Sequence, residues 1–264
     1  MKSLMRYGAL TCAVILGACG KDVTGPDQST PLLNADLAVV LADATGEDVD
    51  IMREPVTFTT MASLAPGNGE LNPTGCTYNS TSQRVECPTF TRGDLTITRS
   101  YQFFDAIGVI QQAFDALLTA KANIQTHVQG EKTGDHWSAT IDRSRNMTVT
   151  GLLGDETERT WNGTGSSSAT RSRHTDDGDR SYDITCTLTV TNVVVPVERG
   201  SDRFPISGTI TRHCTITITG GPRNGQTFER TAVVTFNGSE TATLTIGDKT
   251  FDIDLKTRHR TPRP

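Results

Sequence analysis

The C-terminal half of the chain alternates apolar and polar residues with a period of two across several consecutive segments. The apolar positions of the first two segments are Tyr182, Ile184, Cys186, Leu188 and Val190, then Ile210, Cys214, Ile216 and Ile218. Because successive side chains of a β-strand point to opposite faces, this alternation is typical of strands with one buried face. Short turns between the segments favour antiparallel neighbours. The pattern therefore predicts an antiparallel meander.

Two cysteines select one register between these first two segments. If Cys186 faces Cys214, Ile184 lies opposite Ile216 and the two apolar faces coincide. A one-residue slip would turn one strand's apolar residues to the other face. Register and covalent pairing therefore agree, and we expect a Cys186–Cys214 disulfide.

The other pair of internal cysteines is close in sequence. The chain between Cys76 and Cys87 folds back about residues 81–82 if Tyr78 faces Val85, and this fold brings the two cysteines together. Even numbers of cysteines in exported proteins are typical of disulfides. The sequence thus predicts a hairpin stapled by Cys76–Cys87.

Later segments extend the meander with the same alternation. The pattern predicts Ala232 opposite Cys214, and a three-residue loop at 237–239 that places Val234 opposite Ala242. The expected result is one apolar row across five strands, formed by Cys186, Cys214, Ala232, Leu244 and Phe251.

One segment has clear helical periodicity. Asn34 is a plausible N-cap for a helix over Ala35–Ala44, and Gly46 is the expected stop. Asp105–Lys121 is ambiguous, because its apolar spacing fits a helix while its first four residues fit a hairpin turn. We favour turn and irregular chain there, because the preceding residues alternate like a strand.

The N-terminus has the zones of an export signal. Lys2 and Arg6 supply positive charge before the short apolar stretch Ala9–Leu16. The following Leu16-Gly17-Ala18-Cys19 resembles the lipobox of bacterial lipoproteins, which implies cleavage before Cys19 and diacylation of that cysteine. The alternative is an ordinary secretory signal with incidental cysteines.

These features predict the organisation and location of the chain. Residues 1–18 form the signal peptide, 19–31 a polar linker, 32–256 a single β-rich domain and 257–264 a basic tail. The linker reaches at most about 40 Å, so the domain stays near its membrane. The resemblance to lipoproteins implies that Gly20, in place of Asp after the cysteine, directs the chain to the outer membrane of the cell envelope. Which side of that membrane the domain faces is left open. The tail is either a solvated end or a contact with anionic lipid headgroups.

The expected fold class is all-β. It is a long antiparallel meander of about 8–10 strands, in an open or half-barrel-like sheet, with one short N-terminal helix. The formal net charge of −5 makes nucleic acid a poor partner, because phosphate neutralisation supplies much of the affinity for nucleic acid.

Small side chains share the face that carries Trp161, and they are Gly163, Gly165, Ser167 and Ala169. They predict either the close approach of another element or the floor of a groove for an apolar ligand. Asp176, Asp177 and Asp179 are either ordinary turn residues or oxygen ligands for Ca²⁺.

No strong catalytic motif is present, and no cofactor is expected. His-Glu-x-x-His, Gly-x-Ser-x-Gly and the phosphate loop do not occur, and the five histidines have no evident acid–base partner in the sequence. The sequence therefore favours a non-enzymatic scaffold or binding module for an envelope protein or polymer. The alternative is a carrier of a lipid or other amphiphile, because a curved sheet with a covering helix is similar in outline to LolB-like lipoprotein receptors.

Overall fold

The computed structural model describes residues 29–53, 75–134, 137–154, 156–173, 179–197 and 204–262. The predicted signal peptide, Cys19 and most of the predicted linker lie outside the described residues, as do Asp176 and Asp177. Predictions about them stay predictions.

One α-helix, α1 (Ser29–Arg53), precedes the strands. The strands are β1 (Thr77–Asn79), β2 (Arg84–Glu86), β3 (Phe90–Arg92), β4 (Leu95–Phe104), β5 (Ile110–Gln111), β6 (Lys121–Gly134), β7 (Trp137–Thr150), β8 (Glu158–Arg173), β9 (Arg180–Pro196), β10 (Ser207–Thr219), β11 (Thr227–Thr235), β12 (Thr241–Ile246), β13 (Lys249–Asp254) and β14 (Arg260–Pro262). A 3₁₀ turn, Gly221–Arg223, joins β10 to β11.

The described strands form one open antiparallel sheet, which confirms the predicted fold class. From β6 to β14 each strand pairs with the next along the chain, so this part is a meander. The sheet has 14 strands, but β1, β2, β3, β5 and β14 have three residues or fewer. The nine longer strands match the predicted number.

The registers between strands agree with the predictions at both ends of the C-terminal meander. Cys186 pairs with Cys214 and Ile184 with Ile216 between β9 and β10. Leu244 pairs with Phe251 between β12 and β13. The alternation and the disulfide therefore identified these neighbours correctly.

The two registers between these ends were predicted wrongly by two residues. Ala232 pairs with Arg212 rather than Cys214, and Val234 pairs with Leu244 rather than Ala242. A two-residue shift keeps every side chain on the same face, so alternation alone cannot detect it. The predicted apolar row across five strands is therefore broken at β11.

Helix α1 is longer than predicted at both ends. Asn34 is not its N-cap but a buried residue inside it, and its Oδ1 accepts a hydrogen bond from Nε of Arg230 at 3.2 Å. Gly46 does not end the helix, and the side chain of Arg258 packs where its β-carbon would lie. Tertiary packing thus overrides the helix-breaking tendency of this glycine.

The sheet wraps around the helix. None of the α1 side chains that the structure describes is exposed. Glu47 of α1 contacts Lys132 of β6, and it also lies 3.9 Å from Arg258, which follows β13. Because β6 and β13 are far apart in the strand order, the sheet must curl to bring both to one carboxylate. Apolar side chains of the inner face and α1 form a single core.

The sequence left the structure of two other segments open, residues 105–121 and the C-terminal tail. Within 105–120 the structure has hydrogen-bonded turns and the short strand β5, as favoured, and no helix among these residues. The C-terminal tail is mostly exposed over its described residues, but it is attached to the sheet and to α1. Arg260–Pro262 forms edge strand β14, and Nη2 of Arg258 donates to Asp50 at 2.6 Å.

Candidate functional site

Both predicted disulfides are present in the structure. Cys76 bonds to Cys87, and Tyr78 lies opposite Val85 in the hairpin between them. Cys186 bonds to Cys214 across β9 and β10. Stable disulfides are typical of oxidising compartments, which is consistent with an exported chain.

The row of small side chains makes room for neighbouring side chains. A β-carbon on Gly165 would lie 2.8 Å from Cδ of Arg145, and one on Gly163 would lie 3.1 Å from Sδ of Met147. The space beside both glycines is thus filled from within the chain. Gly165 in particular allows Arg145 to lie flat against the sheet and donate to the carbonyl of Ser166 at 3.0 Å.

Beneath the C-terminal half of α1 lies a buried ionic cluster, centred on Asp48. Asp48 Oδ1 accepts from Nε of Arg145 at 2.7 Å, and Oδ2 accepts from Nη2 of Arg212 at 2.5 Å. Nη1 of Arg212 also donates to the hydroxyl of Thr45 at 3.1 Å. The three charged side chains are at most 4% exposed. One carboxylate therefore fixes the helix to two strands.

The electrostatics of this cluster keep Asp48 and Arg212 charged at neutral pH. Burial opposes ionisation of Asp48, but the charges of Arg145 and Arg212 outweigh burial and hold the pKa of Asp48 below its usual 3.8. Burial also lowers the pKa of Arg212 to about 10, against the opposing charge of Asp48. The pair therefore stays ionised over the physiological range.

A second ionic group extends from this cluster toward solvent. Glu47 accepts hydrogen bonds from Nζ of Lys132 at 2.6 Å and from Arg143. Arg258 joins the group through Asp50. Each of these acidic side chains comes from α1, whereas the cations come from β6, β7 and the loop after β13. The charges therefore attach the helix to both halves of the curled sheet.

A partly open cavity of about 260 Å³ adjoins both ionic groups. Its apolar side is formed by Leu95 and Ile97 of β4, Val128 of β6 and Ile51 of α1. Arg99 and Thr126 line the wall between this apolar side and Arg145. The cavity thus combines an apolar region with a cationic region, which is the usual make-up of a small-molecule site.

No acid–base partner for a histidine is evident in the sequence, and the structure places a carboxylate beside one of them, His127. Its Nε2 lies 2.9 Å from Oδ1 of Asp142, and Ser144 is its cross-strand neighbour. His127 and Asp142 are on the outer face, with side chains 39% and 56% exposed. Water is not excluded there, so this group lacks the enclosed, preorganised setting that hydrolytic sites use.

Large apolar side chains are exposed on two turns that join β4 to β6. We call these residues the apolar tip. They are Ile107 (86% exposed), Val109 (55%), Leu117 (79%) and Leu118 (58%). Both turns are ordered by hydrogen bonds. Asp105 Oδ1 accepts from two backbone amides of its turn, and Asp115 Oδ1 does the same in the second turn.

The two turns of the apolar tip are also tied to each other. The hydroxyl of Thr119 donates to Oε1 of Gln111 at 2.7 Å, and the amide of Ala120 donates to the carbonyl of Phe104 at 2.9 Å. Phe114 packs edge-on against Phe103 with ring centroids 5.8 Å apart. Hydrogen bonds and aromatic packing therefore hold the two turns that carry the exposed apolar residues.

Sequence reasoning missed both the ionic cluster and the apolar tip. A signal for the first was present, because Arg143, Arg145 and Arg212 occupy inward positions of alternating strands. Their partners could not be located, because Asp48 lies beyond the predicted end of the helix. The tip has no equivalent signal, because its apolar residues fit the spacing of a buried helix equally well.

Comparison of the chain with protein-family models, with curated proteins and with solved structures found no match. Over the described residues, no helix has the length and apolar character needed to cross a bilayer.

Proposed function

We propose that this protein is a lipid-anchored, non-enzymatic binding module of the cell envelope. It is tethered through Cys19, and the apolar tip is its contact surface for an envelope protein. The lipobox supports the tether, and the two disulfides support export.

The observation that carries this proposal is the exposure of four large apolar side chains on two rigid turns. Soluble domains rarely expose clusters of large apolar side chains unless the cluster binds a partner or a membrane. Two acids, Asp105 and Asp115, lie in the same turns. Acidic residues there make an anionic lipid surface a poor partner, whereas they suit the polar rim of a protein interface.

The contact can be tested with a photoreactive amino acid at Leu117 of the full chain, in the cells that produce it. We expect one discrete crosslinked product with a second protein, and its loss when Ile107→Asn and Leu118→Asn are added. The matched control carries the photoreactive residue at Thr215, exposed on the outer face. Equal products from both positions, crosslinks to lipid alone, or crosslinks only between copies of this chain would contradict the proposal.

The non-enzymatic part has its own test. His127, Asp142 and Ser144 are the described residues that most resemble a hydrolytic set. We expect the purified chain to have no hydrolase activity that disappears in both Ser144→Ala and His127→Ala. An ester or peptide substrate turned over by the wild type alone would refute this part of the proposal.

A second candidate function is a carrier or receptor for an amphiphile, and the cavity beside the ionic groups favours it. Its volume of about 260 Å³ lies just below the range of about 300–1,000 Å³ typical of sites for drug-sized ligands. A space of this size suits one small ligand rather than the paired long acyl chains of a lipoprotein. The cavity volume therefore supports a receptor for one small ligand rather than a carrier of lipoproteins.

A further inference from the structure

We propose that the cavity between α1 and strands β4, β6 and β7 binds a small amphiphilic anion, with a carboxylate or phosphate monoester head on a short apolar body. This inference deepens the receptor candidate and does not depend on a partner at the apolar tip.

The apolar body has a defined place to lie. Leu95 and Ile97 are neighbours on the inner face of β4, and Val128 lies directly across from Ile97 on β6. Ile51 of α1 closes this region from the helix side. Burying each CH₂ group of a ligand there contributes about 0.8 kcal/mol, so a short chain is enough to give measurable affinity.

The anionic head also has a defined place. Arg99, Thr126 and Arg145 are paired across three adjacent strands, β4, β6 and β7, and all three line the cavity. Thr126 and Arg145 are at most 6% exposed, so a head bound there would be largely desolvated. Hydrogen bonds between a desolvated anion and charged donors are stronger than neutral ones.

The charge balance of the cavity favours an anion over a cation. Among the described side chains that line it, five are cationic and three are carboxylates. Asp48 is shared by Arg145 and Arg212, and Glu47 by Lys132 and Arg143. Because these two carboxylates already serve at least two cations each, a ligand anion adds favourable charge, whereas a ligand cation adds repulsion.

The test compares eight-carbon probes that differ in the head group. Octanoate, octyl phosphate and octylammonium are titrated separately into the purified full chain at neutral pH, with heat as the readout. We expect at least one of the anions to bind saturably at one site per chain, at least tenfold more tightly than octylammonium. The two anions distinguish a carboxylate from a phosphate ligand. Equal affinity for all three probes, or no saturable binding of either anion, would overturn the proposal.

Variants then locate the site. Arg99→Gln should weaken anion binding about tenfold or more, because it removes a charged donor next to the head. Val128→Phe should abolish binding by filling the apolar region. Arg223→Gln, in the turn between β10 and β11, is the matched control and should bind like the wild type.

Circular dichroism checks that each variant is folded. Unchanged anion affinity in folded Arg99→Gln and Val128→Phe would place the site elsewhere and refute the assignment. Crosslinking from Leu117 should be the same in both variants. A failure of this inference is therefore distinguishable from a failure of the tip contact.

Discussion

At the scale of single residues, Asp48 has the largest expected effect on stability. Its carboxylate is 2% exposed and serves both Arg145 and Arg212. Asp48→Asn leaves two buried guanidinium groups without a compensating charge. We expect the free energy of unfolding to fall by about 3–5 kcal/mol, as measured by urea unfolding with tryptophan fluorescence. The matched control, Glu240→Gln, breaks an exposed pair with Lys256 and should cost less than about 1 kcal/mol.

The same carboxylate gives a prediction about pH. The pKa of Asp48 in the folded protein is below 3.8, its usual value in an unfolded chain. The stability that the Asp48 carboxylate contributes is therefore fully present above the unfolded-state pKa, and it is lost as pH falls through the folded-state pKa. The stability difference between the wild type and Asp48→Asn should therefore be constant from about pH 5 to 7 and shrink below about pH 4. Other titrating groups are shared by both proteins and cancel. A difference that grows on acidification would show that burial, not the arginines, controls this carboxyl.

At the scale of elements, strand β8 depends on a glycine to accommodate its neighbour. In Gly165→Ala the new β-carbon would lie 2.5 Å from the carbonyl of Ser144 and 2.8 Å from Cδ of Arg145. Arg145 would be pushed away from Asp48, so we expect a loss of about 1–3 kcal/mol in thermal or urea unfolding. Gly154→Ala, whose β-carbon would have its nearest contact at 3.9 Å, should change stability by less than about 0.5 kcal/mol. Similar losses in both variants would assign Gly165 no special packing role.

Elements also show what could be predicted from the sequence. Strand faces and the β9–β10 register were predictable, because alternation fixes the face and Cys186–Cys214 fixes the register. The register of β11 was not predictable, because a shift of two residues leaves every side chain on the same face of the sheet. The end of α1 was not predictable either, because its buried face turns polar at Thr45 and Asp48. The ionic cluster interrupts the apolar periodicity, which resumes at Val49 and Met52.

At the scale of the whole molecule, the enclosed helix makes folding of α1 and of the sheet interdependent. Every described side chain of α1 is at least partly buried. Its carboxylates join β6 and β7 to β10 and to the loop after β13. Helix α1 cannot separate from the sheet unless the sheet uncurls. If α1 separates, the sheet loses the apolar contacts and ion pairs that it makes with the helix.

We therefore expect hydrogen exchange of the α1 amides to require the same opening as exchange of the central strands β7 to β10. In exchange measured by mass spectrometry at increasing urea below the unfolding transition, peptides from both regions should converge on the global free energy of unfolding. Edge strand β14 is the internal reference, and its amides should exchange at lower free energy because it has one strand neighbour. If the α1 amides exchanged with β14 rather than with β7 to β10, the helix would be a detachable cover. The inner cavity would then open without unfolding of the sheet.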